Sequence, residues 1–529
     1  MPVVPKSFLT IGAGFLSARA ARRLRREGDA VAAQESAFGR LTPRLARAEV
    51  WKGAGIESGM DYESFRSKIN LRSHSAVAPH IERMKQGEPD VLWPGKCQIY
   101  CVSAGTTNGT PKYLPVTEAM LDHFKRCGLE SALWYMARVG STRVLRGRHL
   151  FTGGSTALSL IPDSEHFEAY SGELSGISAL NMPRWMEKHL YEPGAEIAQT
   201  TDWTEKVAAM AERTATLDIT LLAGIPNWAL VIAEALRDVA SRAGEPVENL
   251  QALWPNLECF THGGVPIAPF QEELRSLLGP TVNFHEVYRA AECFVASQDA
   301  EPSDGLRLMA DSGVFFEFLP MSRFDERRLA ELGAQAVPLS DVKVGVDYAL
   351  VITTPSGLAR YANGDVVRFV STEPARLTYV GRTRLRLNAF RENVSEEEIT
   401  AALLAVCSRN RWTIVNFHVA PIITDRAMGS LRGRHEWWVE LKPGTDITPT
   451  GPIIAAELDA ELLQLNAEYD ARRHSGILEA PFVRLVMPGV FEHWMRYHGR
   501  WGGQNKMPRC QDDRIIADEL GTALQFAKD

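Results

Sequence analysis

Apolar residues along this chain follow two alternating rhythms. Across Ala30–Leu45 and residues 62–69 they recur every three or four positions, which predicts helices, and most of the chain up to about residue 92 keeps that period. Trp93-Pro94-Gly95 breaks it, and the apolar run 97–102 then predicts a buried strand. The helical period returns over 117–144. Residues 151–155 form a second strand-to-turn passage, and 172–176 a turn of small residues. The run 217–223 reads as a strand that ends in Gly224-Ile225-Pro226-Asn227-Trp228, with a helix over 229–243. Two further strands, 257–261 and 281–287, each lead into a turn. From 314 to 369 the pattern is mostly β, and from 395 onward helix-like and strand-like segments alternate. No internal repeat and no low-complexity linker appears.

Composition narrows the class. With 529 residues, two or more domains are expected. A hydrophobic content of 45% and a charged content of 23% suit a soluble globular enzyme. The net charge of −7 offers no basic footprint for nucleic acid. No apolar run is long enough to cross a bilayer. Seven scattered cysteines form no disulfide framework and no zinc pattern, which points to a reducing, cytoplasmic setting. Residues 8–18 are mildly apolar, but Arg19, Arg22, Arg23, Arg25 and Arg26 follow them. A signal peptide places its charge in front, so an amphipathic surface helix is expected.

Chemistry concentrates in four short passages. Ser103-Ala104-Gly105-Thr106-Thr107-Asn108-Gly109-Thr110-Pro111-Lys112 follows the strand 97–102. Its glycines let backbone approach a ligand, its N–H groups and hydroxyls suit an anion, and Lys112 adds a positive charge. It is not the common P-loop, because Pro111 stands where that motif has lysine. Taken alone it also fits a ligand-free surface turn. Tyr288-Arg289-Ala290-Ala291-Glu292 offers a flat ring and a carboxylate. Tyr361-Ala362-Asn363-Gly364-Asp365 ends in a carboxylate able to accept from two hydroxyls, and is equally readable as a hairpin turn. Gly503-Gln504-Asn505-Lys506-Met507-Pro508-Arg509 places one lysine in a glycine-rich segment suited to a lid.

In this order and spacing the four passages resemble the adenylate-forming enzymes. They resemble more closely the Gretchen Hagen family of acyl-acid amido synthetases, the auxin-responsive enzymes of plants and their bacterial relatives. The resemblance runs from about residue 60 to 510. It implies an α/β adenylate-forming fold: residues 1–382 as a large N-terminal domain with sheets and a β-barrel-like part at about 310–380, and 383–529 as a small, mobile α+β domain carrying Lys506. It implies ATP and Mg²⁺, with Ser103, Gly105, Thr106, Thr107 and Lys112 on the phosphates and Glu292 on the metal. Tyr288 and the Gly263-Gly264-Val265 turn would flank adenine, and Asp365 would hold the ribose. Lys506 would bridge carboxylate and α-phosphate, and Arg382, in the hinge-like Gly381-Arg382-Thr383-Arg384, would touch ribose or phosphate.

The reaction implied is adenylation of a small carboxylic acid followed by acyl transfer to an amine, by family default an amino acid. Coenzyme A or an alcohol as acceptor, and a homologue that binds without turnover, stay open. Phe151, Leu222 and Trp228 are the expected walls of the acid pocket, and are also ordinary core residues. Three positions depart from the family pattern: Ala104 replaces a loop serine, Ala291 removes the hydroxyl before Glu292, and Ala362 replaces an arginine.

Overall fold

The computed structural model describes residues 6–25, 29–103, 112–161, 167–383, 385–390, 392–425, 432–443, 450–502 and 506–526. The chain divides into two compact units. The first comprises Met1–Asn363, Val367–Tyr379 and Gly502–Gln504; the second comprises Gly364–Val366, Val380–Trp501 and Asn505–Asp529. Asp365 and Arg382, both inside the expected 1–382 domain, group with the second unit.

The first unit opens with helices, as the period of its apolar residues requires. The basic N-terminal helix spans Lys6–Arg25 and leaves Ile11 and Phe15 exposed. Ala30–Leu45 and Tyr62–Lys68 follow, each capped by an aspartate, Asp29 and Asp61. Trp51, Phe65 and Phe38 from this layer pack into the core beside Phe315 and Phe316. The long helix runs only over Glu118–Val139. Thr117 caps its start by accepting from the Met120 N–H at 3.1 Å, and Gly140, at φ +66°, stops it before the expected residue 144.

A twelve-stranded sheet forms the backbone of this unit. Tyr191–Glu192, Arg148–Phe151, Ile219–Gly224, Cys259–His262 and Asn283–Arg289 lie parallel. The sheet then turns antiparallel through Phe294–Ser297 and Leu306–Leu308, which pairs with Ala375–Arg382. Phe315–Pro320 pairs antiparallel with Asp347–Thr353. The strands expected at about 310–380 are therefore the antiparallel continuation of the parallel ones. A separate four-stranded sheet carries Ile99–Ser103, Lys112–Pro115, Tyr170–Gly172 and Ser159–Leu160.

The second unit is α+β. Ile414–Asp425, Arg432–Leu441 and Phe482–Leu485 make a three-stranded sheet. Helices Glu396–Asn410 and Gly451–Leu465 share a core with it through Leu403, Leu458 and Trp437. The first of these helices begins with a capping box. The Ser395 hydroxyl accepts from the Glu398 N–H, and the Glu398 carboxylate accepts from the Ser395 N–H. Among the described residues no helix is long and apolar enough to cross a membrane.

Candidate functional site

In the first unit the glycine- and threonine-rich passage joins two antiparallel strands, rather than a strand and a helix. Ser103 pairs directly with Lys112 across the hairpin. Gly105, Thr106 and Thr107 lie outside the described residues. Beneath the hairpin's root sits Cys101, fully buried. Burial pushes its thiol up to about 12. Glu292 and Glu173 act in the same direction, and Arg289 and a hydrogen bond with the Leu174 backbone oppose them. Cys101 pairs with Gly172, the residue before Glu173, on the neighbouring parallel strand.

Tyr288 and Arg289 are the last residues of the strand Asn283–Arg289, where the sequence pattern ended the strand at 287. The turn comes after them, with the Ala290 N–H donating to the Cys293 carbonyl at 2.9 Å, and Glu292 lies on it, half-buried. The Tyr288 ring is buried. The ring of Tyr379 meets it at an angle, centroids 5.5 Å apart and planes 67° apart, so one side of the expected adenine platform is a second tyrosine. The turn after Cys259–His262 comes against the same strand. A Cβ on Gly263 would stand 2.2 Å from the Val287 carbonyl oxygen, so only glycine fits there, and Gly264 has φ +86°. Val265 is half-buried beyond it.

Phe151 stacks on Tyr191, centroids 5.8 Å apart. Trp228 lies in the first turn of Pro226–Arg242 and packs on Trp203 at 4.9 Å. Leu222 differs from both. It has no exposed surface and sits in register between Leu150 and Phe260, so it backs the sheet and borders no open space. Gly154 packs against Glu173, whose carboxylate occupies the place of a Cβ.

Sequence reasoning missed Lys206. It is 2% exposed and donates to the carbonyls of Gly154 at 2.9 Å and Ala198 at 3.0 Å. Burial lowers it to about 8 against the pull of Glu173. A lone lysine in an amphipathic helix carries no sequence signal of this. His262 and His285 are buried and held neutral, each lowered to about 3 chiefly by desolvation.

In the second unit Asp365 lies within the strand Tyr361–Thr372, buried, rather than on a turn. Arg382 Nε approaches its Oδ1 at 3.3 Å. Glu396, the first residue of the helix after Ser395, lies beside Gly381 and also escaped the sequence reading. Burial raises its carboxyl, while Arg509, Arg382 and Lys506 oppose the rise. Its Oε2 takes no hydrogen bond among the described residues. Lys506 is exposed as a residue, yet its ammonium is desolvated. That desolvation, with repulsion from Arg382, lowers it to about 8, and Asp365 and Glu396 hold it from falling further. Asp365, Arg382, Glu396, Lys506 and Arg509 thus form one charged cluster inside this unit.

The residues suit the groups that the sequence implies. Among the described residues no three metal-binding side chains gather, and Glu292 is the carboxylate that the second motif offers. Mg²⁺ is commonly held in that way, with substrate phosphates and water completing its shell. The Gly263 cradle and the ring of Tyr288 suit a flat base.

Three family models match in order: the GH3 family N-terminal domain over residues 24–139 and 135–282, its central domain over 307–382 and its C-terminal domain over 397–515. Indole-3-acetic acid-amido synthetase GH3.8 of Oryza sativa subsp. indica is 24% identical over 575 residues, covering 93% of this chain and 92% of that protein. The solved structure of AtGH3.15 acyl acid amido synthetase in complex with 2,4-DB superposes with a TM-score of 0.76 at 18% identity, covering 99% of this chain and 98% of that one. A 2-hydroxyisobutyryl-CoA ligase in the postadenylation state superposes with a TM-score of 0.56 at 16% identity, over 93% of this chain and 90% of that one. Both likenesses extend over nearly the whole chain and show the adenylate-forming fold.

Proposed function

Because the chain belongs to the GH3 family, we propose that it joins a small carboxylic acid to an amine, an amino acid by likeness to its relatives, through an acyl-adenylate made from ATP. The observation that carries this reading is the charged cluster Asp365–Arg382–Lys506. It gathers, in one unit, the expected ribose acceptor and the expected bridging lysine, which stand 141 positions apart in the sequence.

The chemistry assigns each part. A carboxylate must approach the α-phosphorus of ATP, and both are negative. The site must therefore hold cations where charge builds during attack. Lys506 supplies one to the carboxylate and α-phosphate oxygens. Ser103, Gly105, Thr106, Thr107 and Lys112 hold the remaining phosphates, and Arg382 touches ribose or phosphate. Glu292 is the carboxylate that would hold Mg²⁺, whose chemistry is to neutralise phosphate oxygens. Tyr288, with Gly263, Gly264 and Val265, receives adenine, and Asp365 accepts from the ribose hydroxyls. Phe151 and Trp228 bound the acid, with Leu222 supporting them from the core. Residues 383–529 act as the mobile domain, turning between adenylation and transfer. Ala104, Ala291 and Ala362 leave Lys112, Glu292, Asp365 and Lys506 intact, which favours an active enzyme over a binding homologue.

The test is exchange of labelled pyrophosphate into ATP over a panel of carboxylic acids, followed by mass analysis of products with amino acids or coenzyme A present. Acid-dependent exchange and an amide product are expected. Thioester as the sole product would refute the acceptor, and no exchange with any acid would refute the reading.

A further inference from the structure

Arg289 belongs to the second motif, yet no role has been assigned to it. It closes the strand Asn283–Arg289, opposite Phe294 across the hairpin, with Tyr288 before it and Glu292 three residues on. It is half-buried, and desolvation lowers its pKa, with only the Cys101 thiol acting the other way. Among the described residues its guanidinium makes no hydrogen bond and no ion pair.

Elsewhere in the same unit the sheltered arginines have partners. Arg360 meets Glu317, Arg148 meets Glu192, and Arg307 and Arg376 share Asp299, while Arg72 lies over the Trp51 ring, 4.9 Å from its centroid, and Arg138 donates to the Phe284 carbonyl at 2.9 Å. A sheltered cation without a counter-charge is costly unless an anion covers it in the working state. Its position says which anion. Cys101, the thiol whose charge acts on it, is two residues before Ser103 at the root of the glycine- and threonine-rich hairpin. Glu292 stands on the same turn, but it is not among the charges acting on Arg289. Ala290 and Ala291 leave the turn without hydroxyl donors, and the planar guanidinium supplies several.

We propose that Arg289 is an oxyanion-binding residue of the adenylation site, giving a two-pronged hydrogen bond to a phosphate of the nucleotide or to a carboxylate of the acid. This rests on the adenylation reading given above.

Steady-state exchange with Arg289→Gln and Arg289→Lys separates the two sources. A KM for ATP raised about ten- to a hundredfold in the glutamine variant, with the acid's KM near the parent's, identifies a phosphate. The reverse split identifies a carboxylate. Lysine keeps the charge without the fork and falls between. Calorimetric titration of inorganic pyrophosphate into parent and variant gives an answer independent of turnover. If the parent exchanges with no acid, the adenylation reading fails, but weaker pyrophosphate binding by the variant still supports the anion site. Both KM values and pyrophosphate affinity within about twofold of the parent would overturn it. If the glutamine variant does not fold, the lysine variant decides alone: a raised KM supports the fork, and parental values overturn it.

Discussion

If Lys506 serves adenylation as proposed, its lowered pKa should make that step sensitive to mild alkali. The perturbation is pH itself, with Lys506→Arg as the control. Desolvation places the ammonium at about 8 instead of the usual 10.5. The protonated form is the one that can neutralise carboxylate and phosphate. With a pKa of about 8 it is about nine-tenths populated at pH 7 and about one-tenth at pH 9. The rate should therefore fall about tenfold over that interval, whereas an unshifted lysine would lose almost nothing. The assay is acid-dependent pyrophosphate exchange at ATP well below its KM, because kcat/KM reports groups in the free enzyme. Saturating ATP should move the limb upward, since bound phosphates favour the charged form. Lys206 has a similar value, so a limb near 8 alone does not identify the group. In Lys506→Arg the guanidinium stays charged throughout, so the limb should vanish even if the rate is lower. Lys506→Ala should lose about 10²–10³ in rate at pH 7, as removal of a positioned charge donor does. A flat profile to pH 9.5 in the parent, or an unchanged limb in Lys506→Arg, would refute the reasoning.

Two further outcomes follow from packing. Gly263→Ala forces a Cβ to within 2.2 Å of the Val287 carbonyl oxygen, which is backbone and cannot swing aside. About 1–3 kcal/mol of destabilisation with a raised KM for ATP is expected, read by thermal melting and exchange kinetics, and parental values in both would contradict the close approach. Glu317→Ala leaves the fully buried Arg360 guanidinium without its carboxylate, and Tyr62 without its acceptor at 2.8 Å. A loss of about 3–5 kcal/mol in denaturant unfolding is expected, and a loss below about 1 kcal/mol would show that water reaches the arginine.

Local chemistry marked much of this protein in its sequence. Asp29 and Asp61 announced the helices that they cap, and the apolar run 97–102 announced the strand beneath the loop, because caps and periodicity act through neighbours along the chain. The four motifs, in order, identified the family, because each contains the residue types that its chemistry demands.

Tertiary structure decided what depends on distant partners. Lys112 is the return strand of a hairpin because Ser103 pairs with it. Asp365, in an Asn-Gly-Asp that reads locally as a turn, is instead inside a strand, since long-range pairing outweighs the local preference. Leu222 and Phe151 looked alike as pocket walls. Strand register buries the first entirely and leaves the second partly open, a distinction set by neighbours about seventy residues away. Lys206, Arg289 and Glu396 resemble any surface charge until burial removes their water, and that loss is what makes them chemically distinct. Desolvation comes from the packing of the whole unit, so no local pattern of residues records it.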